Sequence, residues 1–152
     1  MSERLIAVAD KVKSGICAMT FHVTGAAKFL ASVNKMTEKG SRVEFNKQKS
    51  YVESPAGRRA YLERRRGVYV LEVVFLDGDN ATRGEIIVDS GAADHVMPNH
   101  LFPKTKMYEK EAGVNFVGAN GKDLGNFGRK DMKFIPLAFW EEEFGTPFQG
   151  RA

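Results

Sequence analysis

Apolar residues along the chain recur mostly at the intervals of β-strands. Residues 16–24, ICAMTFHVT, form an apolar run typical of a buried strand, and residues 41–53 alternate between polar and apolar positions. Residues 60–78, AYLERRRGVYVLEVVFLDG, predict two strands on either side of Gly67. A short predicted strand, EIIV (85–88), with three apolar residues precedes Asp89. Many short strands of this kind indicate a β-rich barrel or sandwich.

One segment, KFLASVNKMTEKG, has helical spacing instead. Its apolar residues Phe29, Leu30, Val33 and Met36 recur at intervals of about one helical turn, and Gly40 is a favoured residue just past a helix end. The pattern therefore predicts one helix of two to three turns.

Turn signals divide the rest of the chain. Residues 77–84, DGDNATRG, are polar with two glycines and are predicted to form a linker. Asn120 and Gly121 stand between apolar runs, which is the strongest local signal for a hairpin in this sequence. Residues 138–152 have no clear period and are interpreted as a tail.

The composition is that of a single globular domain. The chain has 152 residues, 43% of them hydrophobic and 28% charged, which is enough to bury a core. No window reaches the length of a membrane span, and the N-terminus lacks a secretory signal, so we expect an intracellular, cytoplasmic protein without a membrane partner. The net charge of +4 permits only weak attraction to polyanions.

Cysteine and histidine usage argues against a metal or disulfide framework. Cys17 is the single cysteine, and its apolar neighbours indicate a packed thiol rather than a nucleophile. His95 and His100 are separated by Pro98, which argues against the continuous helix on which such a pair would bind a metal. No metal and no cofactor are therefore expected.

The stretch IIVDSGAADHVMP, residues 86–98, carries the candidate chemistry. An apolar strand delivers Asp89 onto a turn of small residues, and a glycine-rich hairpin follows about thirty residues later. This arrangement is similar to one half of an aspartic protease site, where two carboxylates share one proton and activate water. The chain has no second such turn, so a protease of this type would need a homodimer with one Asp89 from each molecule.

The same residues resemble the retropepsin-like aspartic proteases of copia-type retrotransposon polyproteins. IIVDSGAADHVMP resembles the catalytic motif of that family, including His95, and VNFVGANGKDLGNFGRKDMKF resembles the segment with the substrate-covering flap. Residues 18–76 resemble the closing half of the domain, with its Leu-x-Ser-Val helix and final Gly-x-Tyr strand. The resemblance implies a retropepsin-like closed β-barrel with one short helix.

The two halves stand in circularly permuted order relative to the family, in which the Asp-Ser-Gly half comes first. The implied organisation is an N-terminal extension, a single domain made of the family's C-terminal half, a linker and the family's N-terminal half, and a tail. The corresponding ranges are 1–15, 16–137 (16–76, 77–84 and 85–137) and 138–152. Since the ends of compact domains usually lie close together, such a permutation is physically permitted.

The resemblance also implies roles for individual residues. Asp89 would be the catalytic acid, and Ser90 and Gly91 its supporting turn. Two further groups would contact substrate: Ala92, Ala93 and Asp94 in the adjoining loop, and Gly118, Ala119, Asn120 and Gly121 near the flap tip. The implied partners are a second copy of the chain and a peptide or polyprotein substrate, and the implied role is polyprotein processing.

Two other interpretations remain open from the residues alone. The chain could be an inactive relic or a peptide-binding module, in which Asp89 only bonds the amides of its own turn. A basic cluster interleaved with tyrosines could instead bind single-stranded nucleic acid, although acidic residues are nearly as numerous and no nucleic-acid motif occurs. That cluster comprises Arg58, Arg59, Arg64, Arg65 and Arg66 with Tyr51, Tyr61 and Tyr69.

Overall fold

The computed structural model describes residues 15–78 and 80–144, and nearly all of the predicted N-terminal extension and the end of the predicted tail lie outside these ranges. The described chain is mainly β, with ten strands and two short helices. The strands are β1 (Cys17–Thr24), β2 (Phe29–Ser32), β3 (Arg42–Glu44), β4 (Tyr51–Glu53), β5 (Arg59–Tyr61), β6 (Glu63–Arg65), β7 (Val68–Asp77), β8 (Asn80–Asp89), β9 (Val96–Pro98) and β10 (Gly128–Pro136). The helices are α1 (Val33–Glu38) and α2 (Leu137–Phe144).

Six strands close into a barrel. They follow the order β10-β1-β9-β2-β8-β7, and the pairing of β10 with β7 completes the circle. Strand β6 extends the sheet beyond β7, and β3, β4 and β5 form a separate small sheet. The predicted β-barrel is thus confirmed, and strands from both halves of the sequence alternate around it.

Apolar side chains fill the barrel, and aromatic rings dominate its centre. Phe75 is almost fully buried and stacks on Phe29 with ring centroids 4.6 Å apart. The rings of Phe102 and Phe134 lie 5.0 and 6.1 Å from that of Phe75. Because such rings bury large apolar areas, this cluster contributes much of the stability of the barrel.

Most of the predicted linker belongs to strands instead, since Asp77 ends β7 and residues 80–84 begin β8. Strands β7 and β8 pair antiparallel from Tyr69–Val88 to Asp77–Asn80. The polar residues of β8 adopt strand structure because they pair with β7, whose residues 73–76 are apolar. Gly84 is required for packing, since a Cβ atom at this position would lie 2.6 Å from the ring of Phe75.

The predicted helix is shorter than expected because its first residues form strand β2. Phe29 and Ala31 are buried in the barrel, and β2 pairs in parallel with residues Ile86–Asp89 of β8. The tertiary pairing overrides the helical spacing at Phe29 and Leu30. Gly40 follows the helix with a φ of 94°, as its predicted position requires.

The predicted tail begins with a core helix. Within α2, which occupies 137–144, the side chains of Leu137, Phe139 and Trp140 are buried and join the core. The domain core therefore extends past residue 137, and the described chain has two helices rather than one. Three apolar side chains on so short a helix give too little periodicity to identify it from sequence.

Candidate active site around Asp89

Asp89 is the last residue of β8, where the strand leaves the barrel core. Its neighbour Val88 is buried and Asp89 itself is half-buried. The amide of Gly91 donates a 2.8 Å hydrogen bond to Oδ1 of Asp89, and the amide of Ala92 lies 3.4 Å from the Asp89 carbonyl oxygen. Oδ2 of Asp89 accepts no hydrogen bond from residues 15–78 or 80–144. One carboxylate oxygen is thus fixed by the turn, and the other is available to a water or another carboxyl group.

Ser32 lies next to Asp89 on the neighbouring strand and is itself bonded to His95. Ser32 pairs with Asp89 across the parallel strands β2 and β8, and its hydroxyl caps α1 by accepting from the amide of Lys35 at 3.3 Å. The amide of Ser32 donates to Nδ1 of the buried His95 at 2.9 Å. Because Nδ1 is the acceptor, His95 is neutral with its proton on Nε2.

Asp94 and His22 form a second pair next to the turn. Oδ2 of Asp94 lies 3.0 Å from Nε2 of His22, and Oδ1 accepts from the amide of His95 at 2.9 Å. The amide of His22 in turn donates to the carbonyl of His95 at 2.9 Å. Both oxygens of Asp94 are therefore engaged within the protein, and its substrate contact stays a prediction.

The predicted hairpin at Asn120–Gly121 is present. The amide of Gly118 donates to the carbonyl of Lys122 at 2.8 Å, and that of Leu124 donates to the carbonyl of Phe116 at 2.9 Å. The tip residues Ala119, Asn120 and Gly121 are exposed, and Gly121 has a φ of 81°. An exposed loop with an asparagine and a glycine at its tip is of a kind that can contact a ligand.

Strand β1 joins the hairpin to the Asp89 turn. The amide of Gly25, just past β1, donates to the carbonyl of Leu124 at 2.7 Å, and the ring of Phe116 lies 4.9 Å from that of His22. The same His22 holds Asp94. The base of the hairpin and the turn that carries Asp89 are therefore connected through one side chain, which the sequence did not identify as a site residue.

The exposed loop residues Ser90, Gly91 and Ala93 lie around Asp89, and Ala92 is half-buried. Their small side chains leave the carboxylate accessible from this side. Their assigned roles in substrate binding stay predictions.

Cys17 matches the expected packed thiol. Burial raises the pKa of its thiol to about 11, so the sulfur is protonated at neutral pH and is a poor nucleophile.

Across the described ranges, no group of three or more His, Cys, Asp or Glu residues could hold a metal ion. Among the described helices, none is both long and apolar enough to cross a membrane.

Most arginines of the basic cluster are engaged by acidic or aromatic side chains. Arg59 pairs with Glu53 at 2.9 Å, and Arg58 lies 3.4 Å from Glu142 and stacks on Phe139. Arg65 contacts three glutamates: Glu63, Glu72 and Glu85. Arginines that are already paired with carboxylates bind phosphate groups less strongly, which weakens the nucleic-acid interpretation.

The environment of His95 predicts an acid-sensitive fold. Burial lowers the pKa of His95, as do the charges of Lys35 and His22, and the carboxylate of Asp94 opposes them only in part. The unfolded chain then takes up this proton at a higher pH than the folded chain does, so stability falls as the pH drops below about 6.5. For one proton, the free energy of unfolding changes by at most about 1.4 kcal/mol per pH unit.

Urea unfolding between pH 7 and pH 5 tests this prediction. The glutamine in His95→Gln can still accept from the Ser32 amide but cannot titrate, so this variant should lose stability less steeply as the pH falls. The exposed His100 provides the matched control, and His100→Gln should keep the slope of the parent chain. An unchanged slope in His95→Gln would show that another group causes the acid sensitivity.

Comparison of the chain with protein-family models, with curated protein sequences and with solved structures finds no match. The functional assignment therefore depends on the residues and geometry of this chain.

Proposed function

We propose that the chain is an aspartic endopeptidase that acts as a homodimer, with one Asp89 from each molecule. The observation that carries the proposal is the position of Asp89: it ends a barrel strand, Gly91 fixes Oδ1, and Oδ2 has no hydrogen-bond partner in the described chain. This is the geometry needed to present a carboxyl group to a second one. The resemblance of residues 86–98 to the catalytic motif of retropepsin-like proteases supports it.

The need for two molecules follows from the single copy of the motif. A two-fold axis places the same residue of both chains opposite itself, so it can bring two Asp89 carboxyl groups together. Two carboxylates at close range cannot both be ionised, and the pair therefore holds one proton. Strands from both halves of the sequence close one barrel, which is compatible with a complete permuted domain within each chain.

Hydrolysis by such a pair conserves atoms and charge. The ionised carboxylate removes a proton from water, whose oxygen bonds to the peptide carbonyl carbon while the other carboxyl group protonates the carbonyl oxygen. Collapse of the tetrahedral intermediate breaks the C–N bond: the leaving amine takes the proton from one carboxyl group, and a hydroxyl group of the intermediate gives its proton to the other. The pair then again holds one proton. Because the pair must hold one proton, cleavage should be fastest at acidic pH. The substrate class is peptides, and polyprotein processing in the cytoplasm is the proposed setting.

Mixing active and inactive subunits tests the shared site. Preformed wild-type dimer is dissociated and reassociated with an equal amount of Asp89→Asn chain, and total peptide cleavage is measured after exchange. If both aspartates are needed, random pairing reduces total activity to about one quarter of that of an all-wild-type sample at the same total concentration. If each chain works alone, about half remains, and the proposal of a shared dyad is wrong.

A second candidate is a catalytically inactive peptide-binding module. The observation in its favour is that a hydrogen bond from Gly91 to Asp89 also forms at ordinary aspartate turns. A diverse peptide library together with a transition-state mimic of the pepstatin type distinguishes the two. Cleavage and tight mimic binding favour the enzyme, whereas peptide binding without cleavage by a confirmed dimer favours the module.

A further inference from the structure

Strand β8 has an open edge. Its partner β2 pairs with it only from Ile86 to Asp89, so residues 80–85 have a strand on one side, β7, and none of the described residues pairs with them on the other. An unpaired strand edge presents backbone N–H and C=O groups to any extended chain that comes alongside. This edge is six residues long, about the mean length of a protein strand.

A groove of about 960 Å³ runs along this open edge. Its opposite wall is the loop of residues 100–104, and residues 27–29, at the start of β2, also line it. A cavity of this size is at the upper end of the range for ligand sites. Asp89 does not line it, so the groove is separate from the proposed catalytic carboxylate.

The wall facing the edge is held in place by buried contacts. The ammonium group of Lys130, itself only 4% exposed, donates to the carbonyls of Phe102 at 2.7 Å and Leu101 at 3.4 Å. The hydroxyl of Thr105 bonds the carboxylate of Asp77 at the end of the β7–β8 hairpin. This wall is therefore fixed by contacts within the chain, and an occupant would not have to order it.

The two faces of β8 differ in chemistry along the groove. Thr82 and Gly84 lie on the same face as Phe75, and Phe29 and Phe102 line the groove on this apolar side. Arg83 and Glu85 lie on the other face. An added strand alternates its side chains between these two faces, so one set would meet aromatic rings and the other charged side chains.

The charges around the groove favour an acidic occupant. Five cationic side chains line it against two carboxylates, Asp77 and Glu85; the cations are Lys28, Arg65, Arg66, Arg83 and Lys104. Arg65 and Arg83 are bonded to Glu72. Lys28, Arg66 and Lys104 have no carboxylate partner in the described ranges, and they come from three separate segments. Acidic side chains on an occupant would supply these missing partners.

We propose that this groove binds an extended peptide segment that alternates apolar and acidic residues, added to β8 as a further strand. Backbone hydrogen bonds to residues 80–85 would give affinity, and the alternation would give specificity, as in other cases of strand addition. The site is distinct from the Asp89 turn, so it goes beyond the proposed peptidase activity.

The test uses the full Asp89→Asn chain, so that cleavage cannot remove the probe. Binding of a fluorescent blocked hexapeptide, (Val-Glu)₃, is measured by anisotropy, with (Val-Lys)₃ and an alternately N-methylated (Val-Glu)₃ as comparison probes. We expect the unmodified acidic peptide to bind, and both other peptides to bind at least about tenfold more weakly, because they lack the charge or the strand hydrogen bonds.

Charge reversal then locates the site. Lys28→Glu combined with Lys104→Glu should weaken (Val-Glu)₃ binding by about tenfold or more, and weaken its dependence on salt. Lys133→Glu, at an exposed position outside the groove, should leave binding unchanged. The proposal is overturned if the acidic peptide fails to bind, if N-methylation has no effect, or if the groove double variant binds as the control does. None of these outcomes depends on whether the wild-type chain cleaves peptides.

Discussion

Replacement of Asp89 by asparagine is expected to abolish peptide cleavage, with a fall in kcat/KM of about 10³-fold or more, because both members of the proposed pair would then lack the carboxylate that activates water. Folding should be nearly unaffected. The side-chain oxygen of asparagine can still accept the hydrogen bond from Gly91, and the position is only half-buried. The measurement combines a cleavage assay with thermal unfolding of both proteins.

Asp131→Asn is the matched control for this variant. Asp131 is exposed on β10 and accepts a 2.6 Å hydrogen bond from the hydroxyl of Thr20, a contact that asparagine can also make. It carries the same change of charge away from the Asp89 turn and should retain activity. Full activity of Asp89→Asn would remove this residue from the mechanism, and equal loss in both variants would point to a general effect of charge.

Truncation of Phe75 to alanine should destabilise the fold by about 3–5 kcal/mol. Its ring is almost fully buried and contacts three other aromatic rings, so removal leaves a cavity at the centre of the barrel. Because Phe102 loses a packing partner, the wall of the β8 groove should also loosen. Urea unfolding measures the first effect, and hydrogen exchange in residues 100–105 measures the second.

Val117→Ala provides the comparison for Phe75→Ala. Val117 is 64% exposed in the hairpin near Gly121, so its truncation should change stability by no more than about 0.5 kcal/mol. If Phe75→Ala were similarly mild, the aromatic cluster would not be the centre of the barrel core.

Local sequence patterns correctly predicted the elements that depend mainly on interactions between adjacent residues. The apolar run of β1, the strand before Asp89 and the hairpin at Asn120–Gly121 are of this kind, since each depends on adjacent residues. Strand β2 was missed because its short apolar run also fits a helix, and only pairing with β8 decides between the two. Helix α2 was missed because its burial depends on contacts with distant strands.

The candidate site likewise combines a part that adjacent residues determine with a part that depends on distant contacts. The Asp-Ser-Gly turn is visible in three consecutive residues, and the structure holds Asp89 by the Gly91 amide within that turn. His22 is different, because it meets Asp94 from 72 residues earlier in the chain. The available signal was a histidine within a mostly apolar strand, and that signal does not identify the partner.

The most direct test of the proposed shared site is the distance between the two Asp89 carboxyl groups in a crystal structure of the dimer bound to a transition-state mimic. A shared pair requires the nearest carboxyl oxygens to lie within hydrogen-bonding reach, about 3 Å, on either side of a two-fold axis. Carboxyl groups too far apart for a hydrogen bond in a chain that still cleaves peptides would contradict it.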